Sequence, residues 1–334
     1  MILVVFGHVM MTTFNIGGYN SVIGSFFLTF RMPMFFFISG YIAYKSADLW
    51  CGTHYRKMLK KKSFVQIIPA SLWFILFSLC HGHNSIPEIL GGAISKGFGS
   101  YWFTFVLFEM FCIYYTASLI ANHTKSVVVD IILVCASLLG IVWLNVSSRE
   151  GGLYNFLCIE NLSKYMQFFT FGILCRKYNK QFMSFISKDA VRGIIILLFM
   201  VCFYLYYDEY LKTNYKILFA FNHDILVRYA GLLTVFIFFW GKSGFFNKDT
   251  WLTSCMLFVG RRTLDIYLLH FFFIPNLQWL YPYIAPTNML LIQLVFSLVI
   301  ALLVVGVSIL VSEVIRSSNI LGHYCFGIKL TKGK

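Results

Sequence analysis

The chain has 334 residues, of which 59% are hydrophobic, 19% aromatic and only 12% charged. Soluble domains carry about twice that share of charged residues, so this composition excludes a conventional soluble domain and indicates an integral membrane protein. The formal net charge of +14 arises from short Lys and Arg clusters beside apolar runs. Membrane topology explains such clusters better than nucleic acid does, and no nucleic-acid partner is expected.

Apolar runs separated by short polar stretches follow one another along the chain. They cover residues 2–14, 21–44, 64–81, 101–121, 127–145, 163–175, 191–207, 225–240, 257–274 and 287–312. Because a helix needs ~20 apolar residues to cross a bilayer, we predict an all-α bundle of about ten transmembrane helices, forming a single domain over residues 1–334. The first run would reach only ~21 Å at ~1.5 Å per residue. It therefore predicts either a locally thin bilayer or a chain that begins inside a truncated helix.

Lysine and arginine concentrate in alternate loops of this predicted bundle. The loop at 46–62 is basic, and so is the stretch at 176–192. Because short basic loops stay in the cytoplasm, both termini are predicted to be cytoplasmic. Loops 82–100 and 146–162 carry few basic residues and are predicted to be external.

The second run contains an arginine and a proline among apolar side chains, in the sequence FRMPMFFFISGYIAYK. Burying Arg31 at membrane depth costs at least ~2.5 kcal/mol, so Arg31 is predicted to face a polar cavity or partner. Pro33 removes a backbone donor, and the helix is predicted to bend or break there. The pair Ser39-Gly40 is predicted to let another backbone approach closely.

Four ionisable side chains are predicted to share one depth in the membrane. Counting from the outer loops at ~1.5 Å per residue places His8, Arg31, Glu109 and His270 about 8–15 Å deep. Since they come from runs far apart in sequence, they predict a site assembled across the bundle. Each group also has a structural interpretation, with the histidines as packing residues and Arg31 paired with Glu109.

Other polar residues suggest little further chemistry. Asp265 is predicted to pair with Arg261 or Arg262, one turn earlier on the same run. The nine cysteines are scattered singly along the chain and are interpreted as small hydrophobic side chains, with neither disulfides nor a metal site. The sequence lacks the motifs of soluble hydrolases, NTPases and dinucleotide-binding proteins.

Four motifs together resemble the acyltransferase 3 family. They are Phe6-Gly7-His8, FRMPMFFFISGY at 30–41, Tyr101-Trp102-Phe103 and GRRTLDIYLLH at 260–270. The motifs occur in the family's order, and the resemblance covers essentially the whole chain. It implies a multi-pass, ten-helix enzyme of the bacterial cytoplasmic (inner) membrane that O-acetylates a carbohydrate, either a surface polysaccharide or a lipid-linked glycan. The implied donor is acetyl-coenzyme A on the cytoplasmic side, with no permanently bound cofactor.

The resemblance implies that His8 is the essential membrane histidine and that Arg31 lines the same cavity. The chemistry agrees, because O-acyl transfer needs a base and a cation that stabilises the oxyanion, and His8 and Arg31 can fill these roles. Alternatively, His8 carries the acyl group transiently. Further residues interpreted as lining the site are Glu109, His270, Trp102 and Ser39.

Basic residues on the predicted cytoplasmic side are candidates for binding the phosphates of coenzyme A. They are Arg261, Arg262, Arg56 and Lys57, although membrane topology alone also explains these charges. One motif departs from the family, because the arginine of its R-x10-H arrangement would lie before Met1. This predicts either a start upstream or a catalytically inactive member. The competing hypothesis is a multi-pass transporter or flippase of glycans or lipids, which would also have a polar midplane.

Overall fold

The computed structural model describes residues 1–14, 21–45, 50–82, 85–146, 152–207, 221–246, 248–280 and 290–329. Regular secondary structure in these residues is helical throughout, without a strand, which confirms the prediction of an all-α protein. The α-helices are α1 (Ile2–His8), α2 (Val22–Ala43), α3 (Gly52–Lys62), α4 (Ile68–Cys80), α5 (Ile86–Lys96), α6 (Trp102–Ile120), α7 (Val127–Val146), α8 (Gly152–Phe156), α9 (Ile159–Lys177), α10 (Asn179–Ile186), α11 (Asp189–Tyr207), α12 (Val227–Gly241), α13 (Ser243–Phe246), α14 (Trp251–Arg261), α15 (Thr263–Phe273), α16 (Leu290–Arg316) and α17 (Asn319–Phe326). π-Helical turns lie at Val9–Thr13, Ser63–Ile67 and Asn222–Leu226, and 3₁₀ turns at Gly99–Tyr101 and Gln278–Leu280.

Six helical stretches within the described residues are long and apolar enough to cross a membrane. They are Val22–Ala43, Gly52–Cys80, Gly99–Ile120, Val127–Leu144, Asp189–Tyr206 and Leu290–Arg316. These stretches make the chain a multi-pass membrane protein. The predicted runs 2–14, 163–175, 225–240 and 257–274 also lie on helices, but on shorter or more charged ones. The number of about ten spans and the cytoplasmic position of both termini stay predictions.

The structure differs from several local predictions. Of the bend or break predicted at Pro33, the break is wrong, because α2 continues through this residue, and the bend stays a prediction; a proline removes only one backbone bond, and neighbouring groups in a bundle tolerate that loss. The run 257–274 is interrupted at Arg262, where the Thr263 hydroxyl donates to Gly260 O at 2.8 Å and competes for the helix carbonyls. Residues 52–62, predicted as loop, form α3 and continue through a π turn into α4.

Several predicted loops lie wholly or partly outside the described residues. These are 15–20, 46–62, 82–100, 146–162, 208–224 and 275–286. The single domain over 1–334 stays a prediction. The chain packs as two compact units, one made of Met1–Phe35 with Asn179–Leu310 and the other of Phe36–Tyr178 with Val311–Lys334. The three boundaries along the chain fall within α2, between α9 and α10, and within α16.

The first unit is built on apolar contacts of its N-terminal helix. Val5, Phe6, Val9 and Met10 are buried in one cluster with Ile266 of α15 and with Ala301, Val304 and Val305 of α16. A second cluster joins Phe30 of α2 to α11 and α12 through Phe199, Cys202, Val227 and Ala230. These contacts fix α1, α2 and α15, the three helices that carry the candidate site of this unit.

The second unit contains a close crossing of α2 and α9. A Cβ added at Gly40 would lie 2.0 Å from the Phe169 carbonyl oxygen, and one added at Gly172 would lie 2.1 Å from Phe37 O. This confirms the prediction that Gly40 lets another backbone approach, the use that membrane helices make of small residues. Near the end of α9, Lys177 Nζ lies 2.7 Å from an Asp130 carboxylate oxygen and ties α9 to α7.

Candidate active site

His8 lies where the first helix changes its geometry. Helix α1 ends at His8, and residues Val9–Thr13 continue as a π-helical turn. The Thr12 hydroxyl donates to the His8 carbonyl oxygen at 2.6 Å, a side-chain bond that competes with the ordinary helix ladder. π-Helical turns occur frequently at functional sites. His8 itself is half-buried, with Val9 and Met10 fully buried behind it.

His270 of α15 packs against His8. The two ring centroids are 5.3 Å apart with an interplanar angle of 37°, and His270 is 0% exposed. His270 Nδ1 lies 2.9 Å from Ile266 O. Because a carbonyl oxygen only accepts, Nδ1 carries the proton and Nε2 of the neutral ring is an acceptor. Within the described residues, this Nε2 is buried and has no hydrogen-bond partner.

Arg31 reaches this histidine pair from α2. Its side chain is buried, and Nη1 donates to Leu3 O at 3.4 Å. A Cβ added at Gly7 would lie 1.6 Å from Arg31 Nη1 and 2.8 Å from Cζ. The guanidinium therefore fills the space that any larger residue at position 7 would need. A fixed positive charge lies against the residue that precedes His8.

The structure thus brings together three of the four ionisable groups predicted to share a depth: His8, Arg31 and His270. Sequence reasoning gave no role to Gly7 or to Phe271, whose ring lies 4.7 Å from that of His8 and 4.0 Å from that of His270. A glycine directly before a histidine in an apolar helix was the available signal for Gly7. No sequence signal marked Phe271, because nothing in the sequence distinguishes it from the many other phenylalanines of this Phe-rich chain.

The other predicted site residues belong to the second unit. Trp102 stacks on Tyr165 at 5.6 Å, with an interplanar angle of 20°. Glu109 lies two turns further along α6, and within the described residues its Oε2 is buried without a hydrogen-bond partner. Ser39 is half-buried on α2 next to Gly40.

The four basic candidates for coenzyme A divide between the units. Arg56 and Lys57 are exposed on α3 of the second unit. Arg261 is exposed at the end of α14 in the first unit, whereas Arg262 Nη1 lies 3.9 Å from the carboxylate of buried Asp265. This pair confirms the prediction for Asp265 and gives Arg262 a local counter-ion.

Comparison with known families assigns the class of chemistry. A family model described as an acyltransferase domain matches residues 1–313. The chain belongs to the acyltransferase 3 family. Residues of both units contribute to the match, and the matched range contains His8, Arg31 and His270. No curated protein and no solved structure matches this acyltransferase 3 member.

Membership in the acyltransferase 3 family supports acyl transfer in general, and the geometry of the first unit suits it. An imidazole can accept a proton from an attacking hydroxyl, and a fixed guanidinium can stabilise an oxyanion without reorganising. Apolar side chains surround both groups, where electrostatic interactions are stronger than in water.

Proposed function

We propose that this acyltransferase 3 member transfers an acetyl group from acetyl-coenzyme A to a hydroxyl of a carbohydrate. The acceptor is a cell-surface polysaccharide or a lipid-linked glycan, and the enzyme works in the bacterial cytoplasmic membrane. The observation that supports this proposal most is the contact of the Arg31 guanidinium with Gly7, directly beside the paired His8 and His270 rings. It combines a proton acceptor and a fixed cation in one site.

In this proposal His8 is the general base. Its imidazole takes the proton from the sugar hydroxyl, whose oxygen forms a bond to the thioester carbonyl carbon. The carbonyl oxygen gains the negative charge, which Arg31 stabilises. When the intermediate collapses, the carbon–sulfur bond breaks, and the departing thiolate receives the proton held by His8.

His270 is a positioning residue in this scheme. Its ring packs on His8, and its own orientation is fixed by the bond between Nδ1 and Ile266 O. The alternative in which His8 itself carries the acetyl group uses the same contacts, with attack by the imidazole nitrogen on the thioester. The coenzyme A phosphates are assigned to exposed basic side chains, with Arg261, Arg56 and Lys57 better placed than Arg262, which Asp265 already engages.

Two substitutions test the proposal. His8→Ala should abolish acetylation of the host glycan at a normal protein level. Arg31→Lys should strongly reduce it, because lysine keeps the charge but loses the planar fork that fits an oxyanion. His81→Ala is the matched control, since this histidine is exposed at the far end of α4.

Glycan acetyl content is measured by NMR in a strain complemented with each variant, with membrane protein levels measured in parallel. Full acetylation with His8→Ala would overturn the enzymatic assignment of this site and favour the transporter hypothesis. Loss with His8→Ala but retention with Arg31→Lys would keep the enzymatic assignment and reduce Arg31 to a structural charge.

A further inference from the structure

A polar cleft of about 150 Å³ lies in the second unit, at the N-terminal end of α6. The residues that line it come from the α5–α6 connection, from α8 and from the start of α9. Its polar and aromatic lining consists of Phe98, Trp102, Tyr154, Asn155, Glu160 and Asn161. None of these residues except Trp102 was predicted as a site residue.

The backbone around the cleft is shaped by unusual conformations. Gly97 has a φ of +76°, and a Cβ there would lie 3.0 Å from the Asn155 carbonyl oxygen. Cys158 has a left-handed φ of 45° without being glycine. Non-glycine residues in this region cost of order 1–3 kcal/mol and are found mainly where the surroundings impose them, often at ligand sites.

The walls of the cleft are held rigidly. Asn155 Nδ2 donates to Ser95 O at 2.6 Å and ties α8 to α5. The Trp102 ring is fixed by its stack on Tyr165, and Phe98 stacks on Phe105 at 3.7 Å with an interplanar angle of 10°. A site with such fixed walls spends little free energy on ordering when a ligand binds.

The lining combines flat aromatic faces with hydrogen-bonding groups. The Trp102 and Tyr154 side chains line the cleft, and aromatic rings are apolar surfaces on which the C–H face of a pyranose ring can pack. The Asn161 amide, the Glu160 carboxylate and the Tyr154 hydroxyl supply donors and acceptors for sugar hydroxyls. This combination suits a carbohydrate better than an apolar ligand.

The charge of the lining residues limits which sugars the cleft can bind. Among the described residues that line the cleft, Glu160 is charged and no lysine or arginine is present. A carboxylate in the wall repels uronic acids and phosphorylated sugars but accepts hydroxyl or ammonium donors. The volume is below the ~300–1,000 Å³ of sites for drug-sized ligands, so it suits a single ring.

We propose that this cleft binds one neutral or amino-sugar ring of the acceptor glycan and excludes acidic sugars. The inference rests on the proposed function, because only an acetyltransferase for glycans would use the bound sugar as its acceptor. Sugar binding in the cleft requires no acetyl transfer, however, so either proposal can fail without the other.

The test is saturation-transfer NMR on the purified full-length protein with methyl glycosides of glucose, N-acetylglucosamine, glucosamine and glucuronic acid. We expect at least one non-acidic glycoside to bind and the glucuronide to bind more weakly. Tyr154→Ala and Asn161→Ala should each weaken binding roughly tenfold. Glu160→Gln should narrow the difference between the glucuronide and the neutral sugars. Tyr204→Ala, an exposed tyrosine of α11, is the matched control and should bind like wild type.

Two further measurements separate this inference from the proposed function. His8→Ala should retain sugar binding while acetylation is lost, and helix content by circular dichroism should be unchanged in every cleft variant. Absence of binding by wild type, or unchanged binding with both Tyr154→Ala and Asn161→Ala, would overturn the inference even if acetylation proceeds. If the protein binds sugars but never acetylates a glycan, the inference that the cleft binds sugars would stand and the proposed function would be overturned.

Discussion

Replacing Gly7 with alanine tests the geometry of the site without removing a charged or titratable group. The added methyl carbon would lie 1.6 Å from Arg31 Nη1. Carbon contacts become favourable only at about 3.5 Å, so the guanidinium must retreat by about 2 Å. That movement takes the cation away from its place beside the residue that precedes His8, and we expect it to disturb a bond to Leu3 O that is already 3.4 Å long.

The expected loss of activity follows from this displacement. A misplacement of about 1 Å in a catalytic group can cost about 100-fold, so Gly7→Ala should lower kcat by at least ~100-fold. The free energy of unfolding should change by no more than about 1 kcal/mol, because the far end of a flexible side chain moves and alanine favours the helix. The KM for the proposed donor, acetyl-coenzyme A, should change little, since Gly7 is not among the basic residues proposed to bind its phosphates.

The assay is acetyl-coenzyme A consumption by purified enzyme with the host glycan, together with thermal unfolding in detergent. Gly306→Ala is the matched control, because this glycine also lies in a helix and nothing lies within 4 Å of its Cβ position. It should keep wild-type activity. A kcat for Gly7→Ala within threefold of wild type would refute the argument that Arg31 acts from its place against Gly7.

Three further predictions concern helix packing, membrane topology and the pKa of one exposed cysteine. Gly40→Ala should destabilise the protein by about 1–3 kcal/mol in thermal unfolding, whereas Gly306→Ala should not, because the new methyl group would lie 2.0 Å from a backbone oxygen of α9; equal stability of the two variants would contradict the close crossing. In single-cysteine variants, an impermeant maleimide should label exposed Cys80 but not exposed Cys51 in intact cells, since the 29-residue helix between them spans about 43 Å. Labelling of Cys51 from outside would reverse the predicted orientation. In opened membranes, the hydrogen bond with Thr53 lowers the pKa of Cys51, so Thr53→Val should move the rise of its labelling rate to higher pH, and an unmoved profile would contradict that bond.

The helical fold could be predicted from the sequence because lipid leaves the backbone no alternative partner. Apolar runs in a bilayer must satisfy their N–H and C=O groups internally, so each run becomes a helix. The local errors arise where one side chain modifies this rule. Pro33 removes one backbone hydrogen bond, yet α2 continues through it. The hydroxyl of Thr263, in contrast, competes for a helix carbonyl and interrupts the helix before any proline occurs.

Some residues of the candidate site could be predicted from the sequence, whereas the contacts between them depend on tertiary structure. The sequence alone marked His8, Arg31 and His270, since ionisable groups in apolar runs are costly and call for a polar environment. It also marked Gly40, because small residues allow backbones to approach. Which groups meet was decided by tertiary packing: α1 packs on α15 and joins the two histidines, and α2 places Arg31 on Gly7. The cleft of the second unit could not be predicted from the sequence, because its lining comes from short helices and left-handed turns whose residues follow no sequence period.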